Sequence, residues 1–212
     1  AIVSDRSAPT LIAGAHQLLQ QHKDIEIRIR TVSQVIAMDD EHLQSLISSS
    51  QSLVMIAVFG EAVDRLLSQR FPATQMRTVL HSDRKLMALQ RDRNGAIFAK
   101  DMPEEIVGDR DGVIDAASLA AKQKSAPRYA DWLQARSYWV NRSVDNTASL
   151  FNFILSGGKE IAPVREVAPV RFALYQNKAA HWLDAEADLD PKRQLRPGPS
   201  VHPRAAIEVT KL

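Results

Sequence analysis

The chain has 212 residues, of which 45% are hydrophobic and 25% charged, with a formal net charge of +2 and a pI near 9.0. That composition suits a globular protein with a sizeable core and excludes disorder throughout, while so small a charge surplus does not by itself point to nucleic acid. The sequence has no cysteine, which excludes disulfides, thiolate metal sites and cysteine nucleophiles, and no apolar run approaches the ~18 residues of a membrane-spanning helix.

AIVSD (1–5) opens the chain as a short apolar run, already inside an expected strand. No signal peptide is visible, and because the chain opens inside a strand a leader or another upstream segment is expected to have been removed. SAPTLIAGAHQLLQQH (7–22) has Ser and Pro at its entry and apolar residues at 11, 12, 15, 18 and 19, a helix start followed by a helical stripe. IEIRIRT (25–31) alternates with period two and predicts a half-buried strand. A helix follows within 33–50, with Asp39, Asp40 and Glu41 suited to a first turn after a break. SLVMIAVFG (52–60) is a continuous apolar run closed by Gly, the pattern of a strand buried on both faces. A helix at 61–71, a strand at 76–83 and a helix at 83–92 complete the series.

Strand and helix thus alternate four times in about 90 residues, which predicts a parallel sheet with right-handed crossovers. The expected fold class is α/β, a doubly wound, mainly parallel sheet of flavodoxin-like or Rossmann-like build. A long helical segment and the start of a second α/β unit follow it. Residues 94–113 read as loop, 126–155 as one long helix or a helix pair, and Gly157-Gly158 as its C-cap. The domain reading is 1–125, a joining helix region at 126–158, a linker at 159–169, and a second unit from 170 that is irregular over 188–204.

In open parallel sheets, ligands gather beyond the carboxyl ends of the strands where the winding reverses. Three strand ends carry polar groups: Ser4-Asp5-Arg6, Phe59-Gly60-Glu61 and His81-Ser82-Asp83. A strand order of 2-1-3-4 would bring Asp5, Arg6, Glu61 and His81 to one crevice, suited to an anionic ligand or to acid–base work. Helix capping competes for Asp5, Ser7 and Asp83. The basic residues between Arg65 and Arg93 read either as a solvated face or as a docking surface for an acidic partner. The sequence has no GxGxxG after the first strand, no GxxxxGK[ST] and no GxSxG. The six His are scattered without metal-ligand spacing, so neither a catalytic residue nor a metal ligand is assigned.

RSYWVNRSVDNTASLFNFILSGGK (136–159) places a polar cluster within the long helical stretch. On one continuous helix Trp139, Arg142 and Asn146 fall near one line, and Tyr138, Asn141 and Asp145 near the next. Asn and Asp are poor helix formers, so a break near Asn141-Arg142-Ser143 is expected, with Ser143 capping a second helix. Such a joint would set how the following domain docks. Alternatively, the ribbon faces another domain. Trp139, Asn141, Arg142 and Asn146 join Asp5, Arg6, Glu61 and His81 as ligand-binding candidates.

YWVNRSVDNTASLFNFILSGG, with the Pro-containing linker and APVRFALYQ after it and VFGE at a strand end before it, resembles the N-terminal region of one family. It is the family of the cobaltochelatase large subunit (CobN) and the magnesium chelatase H subunit. The specific part of the resemblance is 138–158, and the family usually carries a Gly pair where Arg142-Ser143 stand. The resemblance implies a much longer, cytoplasmic subunit of an ATP-dependent ligase in cobalamin biosynthesis. Such a subunit takes a tetrapyrrole (a corrin precursor) and divalent cobalt as substrates and has ATPase subunits as partners. This part would contribute macrocycle or partner binding without catalysis, and no cofactor, nucleic acid or membrane span. Arg6, Arg142 and the 65–93 basic residues would then suit tetrapyrrole carboxylates. Two readings stand beside it. One is a periplasmic α/β ligand-binding or sensor module, and the other a small α/β enzyme using Asp5, Glu61 and His81.

Overall fold

The computed structural model describes residues 1–96 and 116–165, together with the backbone of two strands at Phe172–Gln176 and Ala179–Leu183. Residues 1–166 form one compact unit and 167–212 a second.

The first unit is built on a six-stranded sheet of order β2-β1-β3-β4-β5-β6. Strands β1 (Ile2–Val3), β2 (Arg30–Thr31), β3 (Ser52–Ile56) and β4 (Met76–Leu80) are parallel. Of the two windings left open by the sequence, the sheet has the flavodoxin-like 2-1-3-4 order, and the winding reverses between β1 and β3. β3 is buried on both faces, as its unbroken apolar run requires.

Helix α1 (Ala8–Gln21) links β1 to β2. Helices α2 (Val32–Ala37) and α3 (Asp40–Ser48) link β2 to β3, and α4 (Glu61–Leu67) links β3 to β4. Thr31 and Gln34 form a capping box at the start of α2. Asp39 caps α3 through the His42 amide at 2.9 Å, which produces the expected break before Asp40.

Two expectations need correcting. Only Arg30 and Thr31 of the 25–31 stretch form a strand, because pairing with β1 begins at Ile2, opposite Arg30. Ile25, Ile27 and Ile29 still turn inward and Glu26 and Arg28 outward, so the alternation reported burial correctly but overstated the ladder. The expected helix at 83–92 is only α5 (Arg84–Met87), followed by a hairpin of β5 (Arg91–Asp92) and β6 (Gly95–Ala96). Its two-residue turn is Arg93-Asn94, and Gly95, at φ 116°, opens β6 opposite Asp92. Most of the loop read at 94–113 lies outside the described residues, as does 188–204.

β5 pairs with β4 only at Arg77↔Arg91 and runs antiparallel to it. Farther along β4, side chains replace a neighbouring strand. The Val79 amide donates to Gln90 Oε1 at 2.7 Å, and the Val79 carbonyl accepts the Trp132 indole N–H at 2.9 Å. Both buried backbone groups are thereby satisfied.

The long helical stretch divides into α6 (Ala116–Ser125), α7 (Ala130–Val140) and α8 (Val144–Leu155). α7 is buried on every side from Trp132 to Trp139, which accounts for its lack of an amphipathic stripe. α8 packs on α1 at Gly14, where an added Cβ would lie 2.6 Å from Thr147, so only glycine allows this approach. α7 and α8 thus belong to the core of the first unit.

α8 ends as expected at Gly157-Gly158. Gly157 lies at φ 66°, its amide donates to Ile154 O, and the Gly158 amide donates to Phe153 O at 2.7 Å, a Schellman motif. The second unit contains an antiparallel pair, β7 (Phe172–Gln176) and β8 (Ala179–Leu183). Among the described residues no helix is long and apolar enough to cross a membrane.

Candidate functional site

The topology gathers Asp5, Arg6, Glu61 and His81 at the carboxyl edge of the sheet, Asp5 and Arg6 just after β1, Glu61 at the start of α4 and His81 just after β4. These loops are closely knitted. The Ser4 amide donates to Ile56 O at 3.1 Å and the Ala57 amide to Leu80 O at 3.0 Å. The Val58 amide donates to Ser82 Oγ at 3.1 Å, and the Asp83 amide to Val58 O at 3.0 Å.

That network holds two residues in the left-handed region, Ala57 at φ 54° and His81 at φ 47°. The conformation costs a non-glycine residue about 1–2 kcal/mol. Both residues directly succeed neighbouring strands, β3 and β4. Beyond them the Phe59 and His81 rings meet edge to face, with centroids 5.9 Å apart, and Phe59 is 50% exposed. Sequence reasoning passed over Phe59. An aromatic residue at the end of the apolar run 52–60 reads as more core, so no local signal set it apart.

The edge candidates differ in their commitments. Asp5 Oδ2 accepts the Ser33 amide at 3.2 Å, tying the end of β1 to the start of α2. Thr31 first, and then Ser33, holds its carboxyl below the usual carboxylate range by hydrogen bonding. Asp83 caps α5 through the Lys85 amide at 2.8 Å. Arg6 is exposed, and Glu61 is exposed in the first turn of α4.

The other four candidates belong to the α7–α8 joint. The helix breaks at Asn141-Arg142-Ser143, and Ser143 caps α8 through the Asn146 amide at 3.1 Å. Arg142 lies over the Trp139 ring, 5.1 Å from its centroid. Asn141 is buried, and its side-chain amide donates to Ser137 O at 3.1 Å. Asn146 is 1% exposed and grips the chain that leaves the helix pair. Its Oδ1 accepts the Arg165 amide at 2.9 Å, and its Nδ2 donates to Arg165 O at 2.6 Å. Tyr138 adds a hydrogen bond from its hydroxyl to Ala162 O at 2.6 Å. Asp145 accepts from Gln17 at 2.8 Å and pairs with Arg165. The polar ribbon therefore holds segment 161–165 against α1 and α8, leaving a groove of about 380 Å³ lined partly by Gln17, Gln21, Ser149 and Asn152.

Several of the basic residues between 65 and 93 are engaged within the fold. Arg65 donates to Val35 O and Ile36 O and pairs with Asp40 at 2.6 Å. Arg77 donates to Leu89 O at 2.8 Å and lies over Phe71, and burial lowers its pKa. Arg93 holds Asp131 at 3.0 Å. Among the described residues no three His, Asp or Glu side chains are grouped to hold a metal.

No protein-family model matches the chain, and no curated protein or solved structure shows significant similarity to it.

Proposed function

We propose that this chain is the N-terminal region of a tetrapyrrole metal-chelatase large subunit. The full subunit would insert divalent cobalt into a corrin precursor, driven by separate ATPase subunits. The described part binds macrocycle or partner and carries no metal-insertion residue. The stretch YWVNRSVDNTASLFNFILSGG supports the reading by resemblance. The structural observation that carries it is the grip of Asn146 on Arg165, which ties segment 161–165 to the α7–α8 joint that bears the resemblance. Arg142, stacked on Trp139 beside this joint, offers a guanidinium to a macrocycle carboxylate.

Titration with protoporphyrin IX and with a cobalt-free corrinoid, read by quenching of Trp132, Trp139 and Trp182, tests the proposal. Saturable binding in the micromolar range is expected, weakened about tenfold in Arg142→Ala. A folded sample that quenches with neither ligand would count against macrocycle binding.

The polar groove beside Gln17 and Asn152 favours a second reading, an α/β ligand-binding or sensor module. The length of the gene product separates the two. Many hundred further residues support the chelatase, and a stop codon near Leu212 supports the binding module.

A further inference from the structure

We infer that the carboxyl edge of the sheet, between the loops after β1 and β3, is a binding site for a planar, conjugated ligand bearing a carboxylate or phosphate. Phe59 serves as its stacking platform and Arg6 as its anion partner. This site is separate from the α7–α8 joint and does not depend on the chelatase reading.

Four observations meet here. The loops flank the one reversal of winding among the four parallel strands, the place where open α/β sheets leave a crevice. Ala57 and His81 are both held in a backbone conformation that L residues disfavour, at the ends of adjacent strands. Glycine at either position would be easier for the fold, and such strain is characteristic of sites where geometry serves a ligand. The strained turns present Phe59 half-exposed, its ring nearly perpendicular to that of His81 with centroids 5.9 Å apart, so the aromatic ring is held in place at the edge. The hydrogen bonds of Ser4, Ala57, Val58, Ser82 and Asp83 fix these loops before any ligand arrives.

The charges orient the ligand. Asp5 is turned to Ser33 and Thr31, and Arg6 beside it is exposed. Glu61, past Phe59 in the first turn of α4, repels an anion. The acidic group of the ligand therefore points to the β1 loop and its rings lie over Phe59.

Flavin mononucleotide and protoporphyrin IX share this chemistry and represent its two sources, a phosphate-bearing and a carboxylate-bearing ring system. Binding is read by fluorescence anisotropy of each probe on the full chain. At least one probe is expected to bind with Kd below about 1 mM, weakened about tenfold in Phe59→Ala and restored in Phe59→Trp. Arg6→Ala, an exposed change, is expected to weaken the same probe several-fold and covers the case in which Phe59→Ala does not fold. Flavin binding lost in Phe59→Ala without any protoporphyrin binding supports this site and sinks the macrocycle reading. Protoporphyrin binding that falls in Arg142→Ala but not in Phe59→Ala or Arg6→Ala, with no flavin binding, overturns this site and leaves the chelatase reading standing. No binding of either probe overturns this site as well.

Discussion

Ala57 sits at φ 54° with no glycine to relieve it, and the hydrogen bonds around it keep it there. Replacing it with glycine removes the left-handed penalty but adds unfolded-chain entropy, so Ala57→Gly is expected to stabilise the protein by about 0.5–1 kcal/mol. Urea denaturation measures this directly, and a destabilised variant would show that the strain is absent. Nothing in the sequence hints at the strain. Alanine is compatible with the buried run SLVMIAVFG, and only the pairing of β3 with β4 forces the turn. Phe59 was hidden for a related reason, since an aromatic at the end of an apolar run reads as more core. Asp83 was more legible as a cap, because capping depends on local sequence, while Asp39, read from the sequence as a first-turn residue, proves to be the cap itself. Asp39 and Asp83 do cap, whereas Asp5 bonds to Ser33, 28 positions away.

Among the elements, the α7–α8 joint has the clearest consequence. Asn146 makes two hydrogen bonds to the backbone of Arg165, and alanine there would leave both unmade. Asn146→Ala is expected to cost about 1–3 kcal/mol and to speed proteolysis at 159–165 more than elsewhere. A uniform rise in cleavage would mean the grip is not local. The break itself was readable, since Asn141, Ser143 and Asp145 disfavour a continuous helix. The partner of Asn146 was not, because a segment 19 positions away supplies it.

At the first turn of α7, Asp131 is paired with Arg93, yet its side chain is only 15% exposed. Burial raises its pKa above the ordinary 3.8, Asp92 adds to the rise, and Arg93 opposes it. A raised carboxyl binds its proton more tightly when folded, so its favourable contribution is full below pH 3.8 and is lost as pH rises through the folded value. The stability of the native protein relative to Asp131→Asn should therefore be greatest in acid and decline towards neutrality. Urea midpoints of both proteins measured between about pH 3 and pH 7 test the sign. A difference that grows with pH would mean the Arg93 pair outweighs burial.

For the molecule as a whole, residues 1–166 carry a continuous core from Ile2 to Ile154. A chain ending at residue 166 is expected to keep a cooperative melting transition within about 3 °C of the full chain. Loss of that transition would show that the first unit depends on 167–212. The parallel α/β sheet was legible from alternation, because right-handed crossovers leave few arrangements for consecutive βα units, but the choice of the flavodoxin-like order over the Rossmann-like one came only from the strand pairing. The antiparallel hairpin at the other edge was not, since two-residue strands are too short for periodicity to register.

The sequence by itself determined the α/β class, the buried β3, the capped breaks before Asp40 and Val144, and the Gly157-Gly158 exit. Each of these rests on interactions within a few residues, or on an apolar period that the residues themselves carry. Only the tertiary structure decided which candidates stand together. It set Phe59 against His81 across adjacent strands, put Trp132 on the open edge of β4, and gave Asn146 the backbone of Arg165. Those partners are separated by 22, 53 and 19 positions, and local propensity carries no information about which distant residue will complete a contact.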